Sequence, residues 1–423
     1  MASGARVYYG WAVLVVAAAA MVGTLPGRTQ GLGLVTEPIL RDLRIDRVTY
    51  AEVNFWATIV GASGALGVGR LIDRAGSRVA LAITALGLGA VVCSMSQATS
   101  VASLAVWLTL TRALGQSALS VVSLAMVGQW FVRRIDVAMA IYSIVMSIGF
   151  MAAFPLVGAA VQQWGWRAAW LGVGAAIAGA LAPAAWLFVR RSPEACGLKP
   201  DGDFDASAGP APSSNDVSGH AFGDAVATPA FWIFAIGAAL YGLVASGIGL
   251  FNESILSERG FGPDVYYQSL VITALTALGG NFLGGWAAAR MPLSRLLAAS
   301  LGILTVGLAA LPFVSTEAHV VLWAAAMGLG GGLVMVLFFA VWPRVFGRRH
   351  LGRIQGAAQA ITVLASALGP LLLAWCVEVT GSYTAMFQLL AAVIATVALG
   401  ALAVSLPPPV PDARIAMGPE MSS

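Results

Sequence analysis

Twelve apolar stretches, each long enough to cross a hydrocarbon core of about 30 Å, recur along the 423-residue chain. In the first half they run approximately over 8–36, 50–70, 78–97, 101–130, 137–162 and 167–189. The second half repeats the pattern over 229–256, 265–289, 293–313, 318–342, 352–377 and 383–405. Inside a bilayer each backbone N–H and C=O must be satisfied without water, so stretches of this length read as helices. The expected fold is an all-α membrane protein of twelve transmembrane helices. Only 10% of the residues are charged against 59% hydrophobic, where a soluble domain carries about a quarter charged. Arg6 followed by Tyr8 to Pro26 is too long for a secretory signal and lacks a small-residue cleavage site; it reads as a retained first span.

Between the halves, residues 190–227 turn abruptly polar, rich in Asp, Ser, Gly and Pro, as a flexible linker would be. Thr228 and Pro229 then mark a helix start, a side-chain cap followed by proline at the first helical position. The expected organisation is therefore a six-helix bundle over 1–189, a linker over 190–227, a second bundle over 228–406 and a tail over 407–423. Of the 23 basic residues, only Arg41, Arg44, Arg47, Arg167 and Arg259 fall on one side of the membrane. Arg28 and Arg112 lie inside spans, and the remainder fall on the other side, which orients both termini toward the cytoplasm.

The halves are also copies of one another. Gly31-Leu-Gly-Leu-Val-Thr-Glu-Pro-Ile-Leu40 aligns without gaps on Gly247-Ile-Gly-Leu-Phe-Asn-Glu-Ser-Ile-Leu256, with six of ten positions identical. Trp130, Arg133, Arg134, Gly149 and Pro155 find counterparts in Trp342, Arg348, Arg349, Gly369 and Pro370. Repeated six-span halves with a substrate site near the midplane are the plan of secondary transporters.

Between the second and third spans lies Gly69-Arg-Leu-Ile-Asp-Arg-Ala-Gly-Ser-Arg78, a polar, glycine-punctuated stretch expected to form a short loop. It resembles the signature loop of the major facilitator superfamily, matching it at every defined position. The resemblance implies two pseudo-symmetric six-helix bundles and a gate formed by Gly69, Asp73, Arg74, Gly76 and Arg78. Asp73 is then expected against the N-terminal end of the eleventh span, where the helix dipole favours an anion, with Arg74 and Arg78 bonding across the loop. Within the superfamily the chain is similar to the bacterial monocarboxylate-transporter and oxalate/formate-antiporter group. Gly10-Trp11-Ala-Val with Arg28 in the first span, Arg112-Ala-Leu-Gly-Gln116 in the fourth, Gly165-Trp166-Arg167, and Pro193-Glu-Ala-Cys-Gly-Leu-Lys-Pro-Asp-Gly202 carry that likeness. The group's Asp and Arg of the eighth span are absent, and Asn281 stands near the arginine's place. The second-half copy of the signature, Gly285 to Arg290, has lost its Asp and later Gly.

A charge inside the bilayer costs ~2.5–3.5 kcal/mol on insertion scales, so one that persists is a functional candidate. Arg112 lies ~14 Å into its span and Arg28 ~26 Å beyond Trp11, at 1.5 Å per residue. Pro26 and Gly27 are expected to bend the first helix just before Arg28. A guanidinium binds a carboxylate through two parallel hydrogen bonds, which lysine cannot do. Both arginines are therefore candidates for binding an anion, with Thr29, Gln30, Asn54, Gln116, Asn281 and Gln359 as polar neighbours. Two other readings stand beside this one: Arg112 bonded to span-one carbonyls, and Arg28 snorkelling to outer headgroups. Glu37 and Glu253, related by the repeat, are candidates to bind a proton during transport, or else interfacial carboxylates paired with Arg28 and Arg259.

No catalytic triad, phosphate loop, metal-ligand spacing or cofactor motif is present, and three cysteines make no disulfide framework. The expected function is secondary active transport of a small organic anion, monocarboxylate-like, by alternating access with a proton or counter-anion (symport or antiport). Its partners are the anion and the lipid bilayer, with no nucleic acid and no second subunit, and its location a bacterial plasma membrane. An exporter of drugs or amphiphiles, and a ligand sensor that does not transport, are the rivals.

Overall fold

The computed structural model describes residues 8–131, 134–190, 193–196, 198, 201, 220–347 and 350–407. Within them the fold is all-α. Its helices are α1 Gly10–Gly23, α2 Thr29–Leu43, α3 Arg47–Gly61, α4 Gly64–Met95, α5 Val101–Thr111, α6 Ser120–Trp130, α7 Ile135–Ala176 and α8 Ala182–Phe188. There follow α9 Phe222–Ala227, α10 Pro229–Ser257, α11 Pro263–Ala288, α12 Leu293–Ala310, α13 Glu317–Phe346, α14 Leu351–Thr380 and α15 Thr384–Ala403. Among the described residues ten helical runs are long and apolar enough to span a membrane, where twelve stretches were expected. The 52-residue run Val137–Phe188 leaves helical geometry at Gly165 (φ 79°), so two expected spans fall within it. The expected second span is divided between the 15-residue α3 and the start of α4.

The first span is two helices rather than one. Pro26 has no N–H to offer the preceding turn, and Leu25–Gly27 forms a 3-10 turn after which Arg28 is extended (φ −90°, ψ 150°). The Thr24 hydroxyl satisfies the end of α1 by donating to the Met21 carbonyl at 2.6 Å. Arg44 in the left-handed region (φ 53°) ends α2, and Asp46 caps α3 by accepting the Thr49 N–H at 2.8 Å. The repeat copy in α10 departs from helical geometry at a different place, Phe251 (φ −112°, ψ 15°). The aligned blocks therefore share sequence but not the position of their breaks.

Two expectations change. The Gly69–Arg78 stretch is not an irregular loop: it lies within α4, and the departure from helix is concentrated at Gly76 (φ 80°, ψ 166°), a conformation only glycine adopts cheaply. The linker is not wholly irregular either, since α9 forms at its end and the Arg353 guanidinium lies over the Phe222 ring, 5.6 Å from its centroid. The Thr228 cap forms as expected, with Phe231 N–H donating to Thr228 Oγ1 at 3.2 Å.

The chain divides into two compact units, Met1–Ala206 with Ser246–Ala274, and Ser207–Ala245 with Leu275–Ser423. In the first, small residues bring helices into backbone contact. A Cβ at Gly33 would stand 2.1 Å from the Gly249 carbonyl oxygen, so α2 and α10 touch there through glycine alone. Asp42 at the end of α2 ties down the Gly165 break, accepting from Trp166 Nε1 at 3.0 Å and pairing with Arg167 at 2.8 Å. In the second unit α12 packs between α13 and α15, and Trp342, Phe346 and Phe231 form a buried aromatic cluster.

Candidate functional site

The two intramembrane arginines flank the break in the first span, and their side chains take opposite courses. Arg112 is fully enclosed, at 1% exposure. It begins a π-helical stretch, Arg112–Leu119, of the kind found where a helix is locally re-registered at a working position. Gly27 lies directly on this stretch: a Cβ there would meet Thr111 O at 2.7 Å and Gln116 N at 2.8 Å. Close approach lets Arg112 Nη1 donate to the Gly27 carbonyl at 3.2 Å and Thr29 Oγ1 at 3.1 Å, and also to Gln116 Oε1. Nη2 donates to Asn54 Oδ1. Thr29 Oγ1 is also 3.4 Å from Ser246 Oγ. The structure therefore brings together four expected residues, Arg112, Thr29, Asn54 and Gln116, as a buried network of one cation and neutral acceptors. Its remaining buried polar atoms without a partner are Arg112 Nε and Asn54 Nδ2.

Arg28 is half-buried and turns back along its own chain. Nε donates to Thr24 Oγ1 at 2.7 Å and Nη2 reaches the Met21 sulfur at 2.8 Å. The guanidinium lies over the Phe150 ring of α7, 5.5 Å from its centroid. This course runs back toward α1, on the N-terminal side of the break. No carboxylate pairs with Arg28 among the described residues, whereas Arg47 pairs with Glu37, Arg167 with Asp42 and Arg259 with Glu258.

The other candidates are distributed as follows. Gln30 is half-buried with its side chain along Gly249. Asn281 and Gln359 belong to the second unit; Asn281 Oδ1 is enclosed without a hydrogen-bond partner, and Gln359 is exposed. Glu37 is buried and held by both Nη2–carboxylate bonds of Arg47, at 2.9 and 3.0 Å, and neither Arg28 nor Arg259 pairs with it. Glu253 is half-buried and makes no hydrogen bond or ion pair among the described residues. Of the gate candidates, the surroundings of Gly69 and the side chain of Asp73 lie outside the described residues. Arg74 is exposed, and Arg78 bonds not across the loop but to the Trp186 carbonyl at 2.7 Å, its guanidinium 4.3 Å above that indole.

Sequence reasoning missed the residues around Arg28. Thr24 and Met21, four and seven positions earlier, share a helical face with it, and that spacing could have found them. Phe150 and Tyr142 come from α7 and carry no local signal. Tyr142 is bonded to Ser123 at 2.8 Å, and Ser123 donates its own proton to the Ala17 carbonyl at 2.6 Å.

With this geometry in view, comparison with known proteins adds the following. Rat Monocarboxylate transporter 13 is 30% identical over 134 residues, 31% of this chain and 31% of its own. Human Monocarboxylate transporter 11 is 32% identical over 176 residues, 38% of this chain and 36% of its own. The chain thus spans about a third of the length of the curated relatives it matches. Among solved structures, an inward-facing, unoccupied bacterial homolog of the human lysosomal transporter Spinster superposes with a TM-score of 0.70 at 16% identity, over 94% of this chain and 96% of that one. A nucleoside transporter gives 0.70 at 15% identity, over 94% and 99%. Likeness at that identity speaks for the fold. The sequence profile of the Major Facilitator Superfamily matches residues 7–316 and 234–419, which together take in nearly all of the sequence. The chain belongs to the Major Facilitator Superfamily.

Proposed function

We propose that the protein is a secondary active transporter of a small organic anion, of the monocarboxylate class, working by alternating access. The observation that carries this reading is Arg28: an arginine inside a span, beside the break of that span, with no carboxylate of its own. A lone cation kept in an apolar setting is costly unless a ligand uses it, and a guanidinium fork matches a carboxylate. The partial matches to proteins named monocarboxylate transporters agree with this choice.

Arg112 takes a different role in this reading. Its donors are engaged by Gly27, Thr29, Asn54 and Gln116, so it braces the break that presents Arg28. Proton coupling falls on Glu253 rather than Glu37, because Glu37 is clamped by Arg47. The chain makes twelve passes, with both termini cytoplasmic in a bacterial plasma membrane, and acts as a monomer; Gly76 supplies the turn of a gate whose other members are Gly69, Asp73, Arg74 and Arg78.

Purified protein in proteoliposomes tests the reading directly. An imposed pH gradient is expected to drive accumulation of labelled benzoate or pyruvate, and Arg28→Ala to abolish it. Export of an amphiphilic dye with no carboxylate flux, unchanged in Arg28→Ala, is the result that favours an amphiphile exporter instead.

A further inference from the structure

We propose that the anion taken by Arg28 carries a flat apolar body, so that the preferred substrates are aryl carboxylates rather than short 2-oxo acids. The inference rests on the reading of Arg28 as the anion contact and extends it to the rest of the substrate. What surrounds the guanidinium fixes its plane and offers little to a second polar group. Nε is held by Thr24 and one Nη2 donor by the Met21 thioether, which leaves the Nη1/Nη2 edge for two carboxylate oxygens. One face of the guanidinium is against Phe150, and one turn further along α7 Phe154 stacks on Phe150, with centroids 5.7 Å apart and planes at 23°. Met21 and Phe154 are buried, while Phe150 and Arg28 keep exposed surface at the edge of this apolar group.

Three hydroxyls of this unit, those of Thr24, Ser123 and Tyr142, are already engaged. Thr24 donates its hydroxyl proton to the Met21 carbonyl, and Ser123 donates to the Ala17 carbonyl. With the Ser123 proton spent, the 2.8 Å contact requires Tyr142 to donate to Ser123. None of these three hydroxyls has a proton left for a keto oxygen beside the carboxylate, and a polar group buried without a partner weakens binding. An aromatic ring in the same place gains a thioether and a ring edge, contacts that such groups favour. Phe150 and Met21 are thus specificity-determining residues.

The test measures binding of benzoate and of pyruvate to the purified full-length chain, by ligand-induced thermal stabilisation, in wild type and in Phe150→Leu. Benzoate is expected to bind at least tenfold more tightly than pyruvate. Phe150→Leu is expected to cut that ratio at least fivefold, through loss of benzoate affinity. Equal wild-type affinities, or a ratio that Phe150→Leu leaves unchanged, overturn the inference while the anion reading stands. Failure of both probes to bind overturns the anion reading and this inference with it. If Phe150→Leu does not fold, the wild-type ratio alone decides.

Discussion

At the scale of single residues, burial and partners separate two arginines that look alike in the sequence. Arg112 satisfies acceptors on three parts of the first unit, and its loss leaves Gly27, Asn54 and Gln116 oxygens without donors in a buried place. Each such group costs about 1–3 kcal/mol. Arg112→Ala is therefore expected to lower unfolding stability by about 3 kcal/mol or more, measured on purified protein, whereas Arg28→Lys changes stability by under about 1 kcal/mol. Equal losses would contradict the division of roles. The carboxylates divide in the same manner. Glu253→Gln is expected to remove the dependence of uptake on an imposed pH gradient, and Glu37→Gln to preserve it, because Glu37 is already bound by Arg47. That pairing was not readable from the chain, since it depends on the reversal at Arg44 (φ 53°) that brings Arg47 back onto α2.

At the scale of elements, the interruption of the first span was legible because Pro26 and Gly27 announce it, and the Thr228 cap for a similar reason. The π-helical stretch after Arg112 was not, because a change of register leaves no mark in residue type. Nor was α9, six residues long within a polar linker. Arg28's packing against α7 was hidden as well, because it depends on Phe150, more than a hundred residues away. Close helix contact gives a sharper test. Gly33→Ala is expected to destabilise by about 1–3 kcal/mol, because its Cβ meets the Gly249 carbonyl at 2.1 Å, while Gly279→Ala, with nothing within 4 Å, should be neutral. Thermal unfolding of the two variants side by side decides this. The start of α3 carries a pH dependence. Hydrogen bonds from the Thr49 side chain and N–H hold the Asp46 carboxyl below the usual carboxylate range. Its cap is therefore fully stabilising above an unfolded value of about 3.9 and is lost as pH falls through the lower folded value. Asp46→Ala should cost about 0.5–1 kcal/mol at neutral pH, the low end for an exposed cap, and the difference from wild type should vanish in acid.

At the scale of the whole molecule, the two units differ in where they hold their arginines. Arg28 and Arg112 both belong to the first unit, whereas the described arginines of the second, Arg290, Arg295, Arg344 and Arg353, are all exposed. Glu253 belongs to the first unit too, so the proposed anion and proton sites share one compact body. The most direct measurement is carboxylate-induced thermal stabilisation of wild type, Arg28→Gln and Arg112→Lys. A ligand at a hundred times its Kd stabilises by about 2.7 kcal/mol. The prediction is that benzoate stabilises wild type by that order, that Arg112→Lys starts less stable yet still responds, and that Arg28→Gln starts as stable as wild type and does not respond. Stabilisation of Arg28→Gln equal to that of wild type would contradict the assignment of the anion to Arg28.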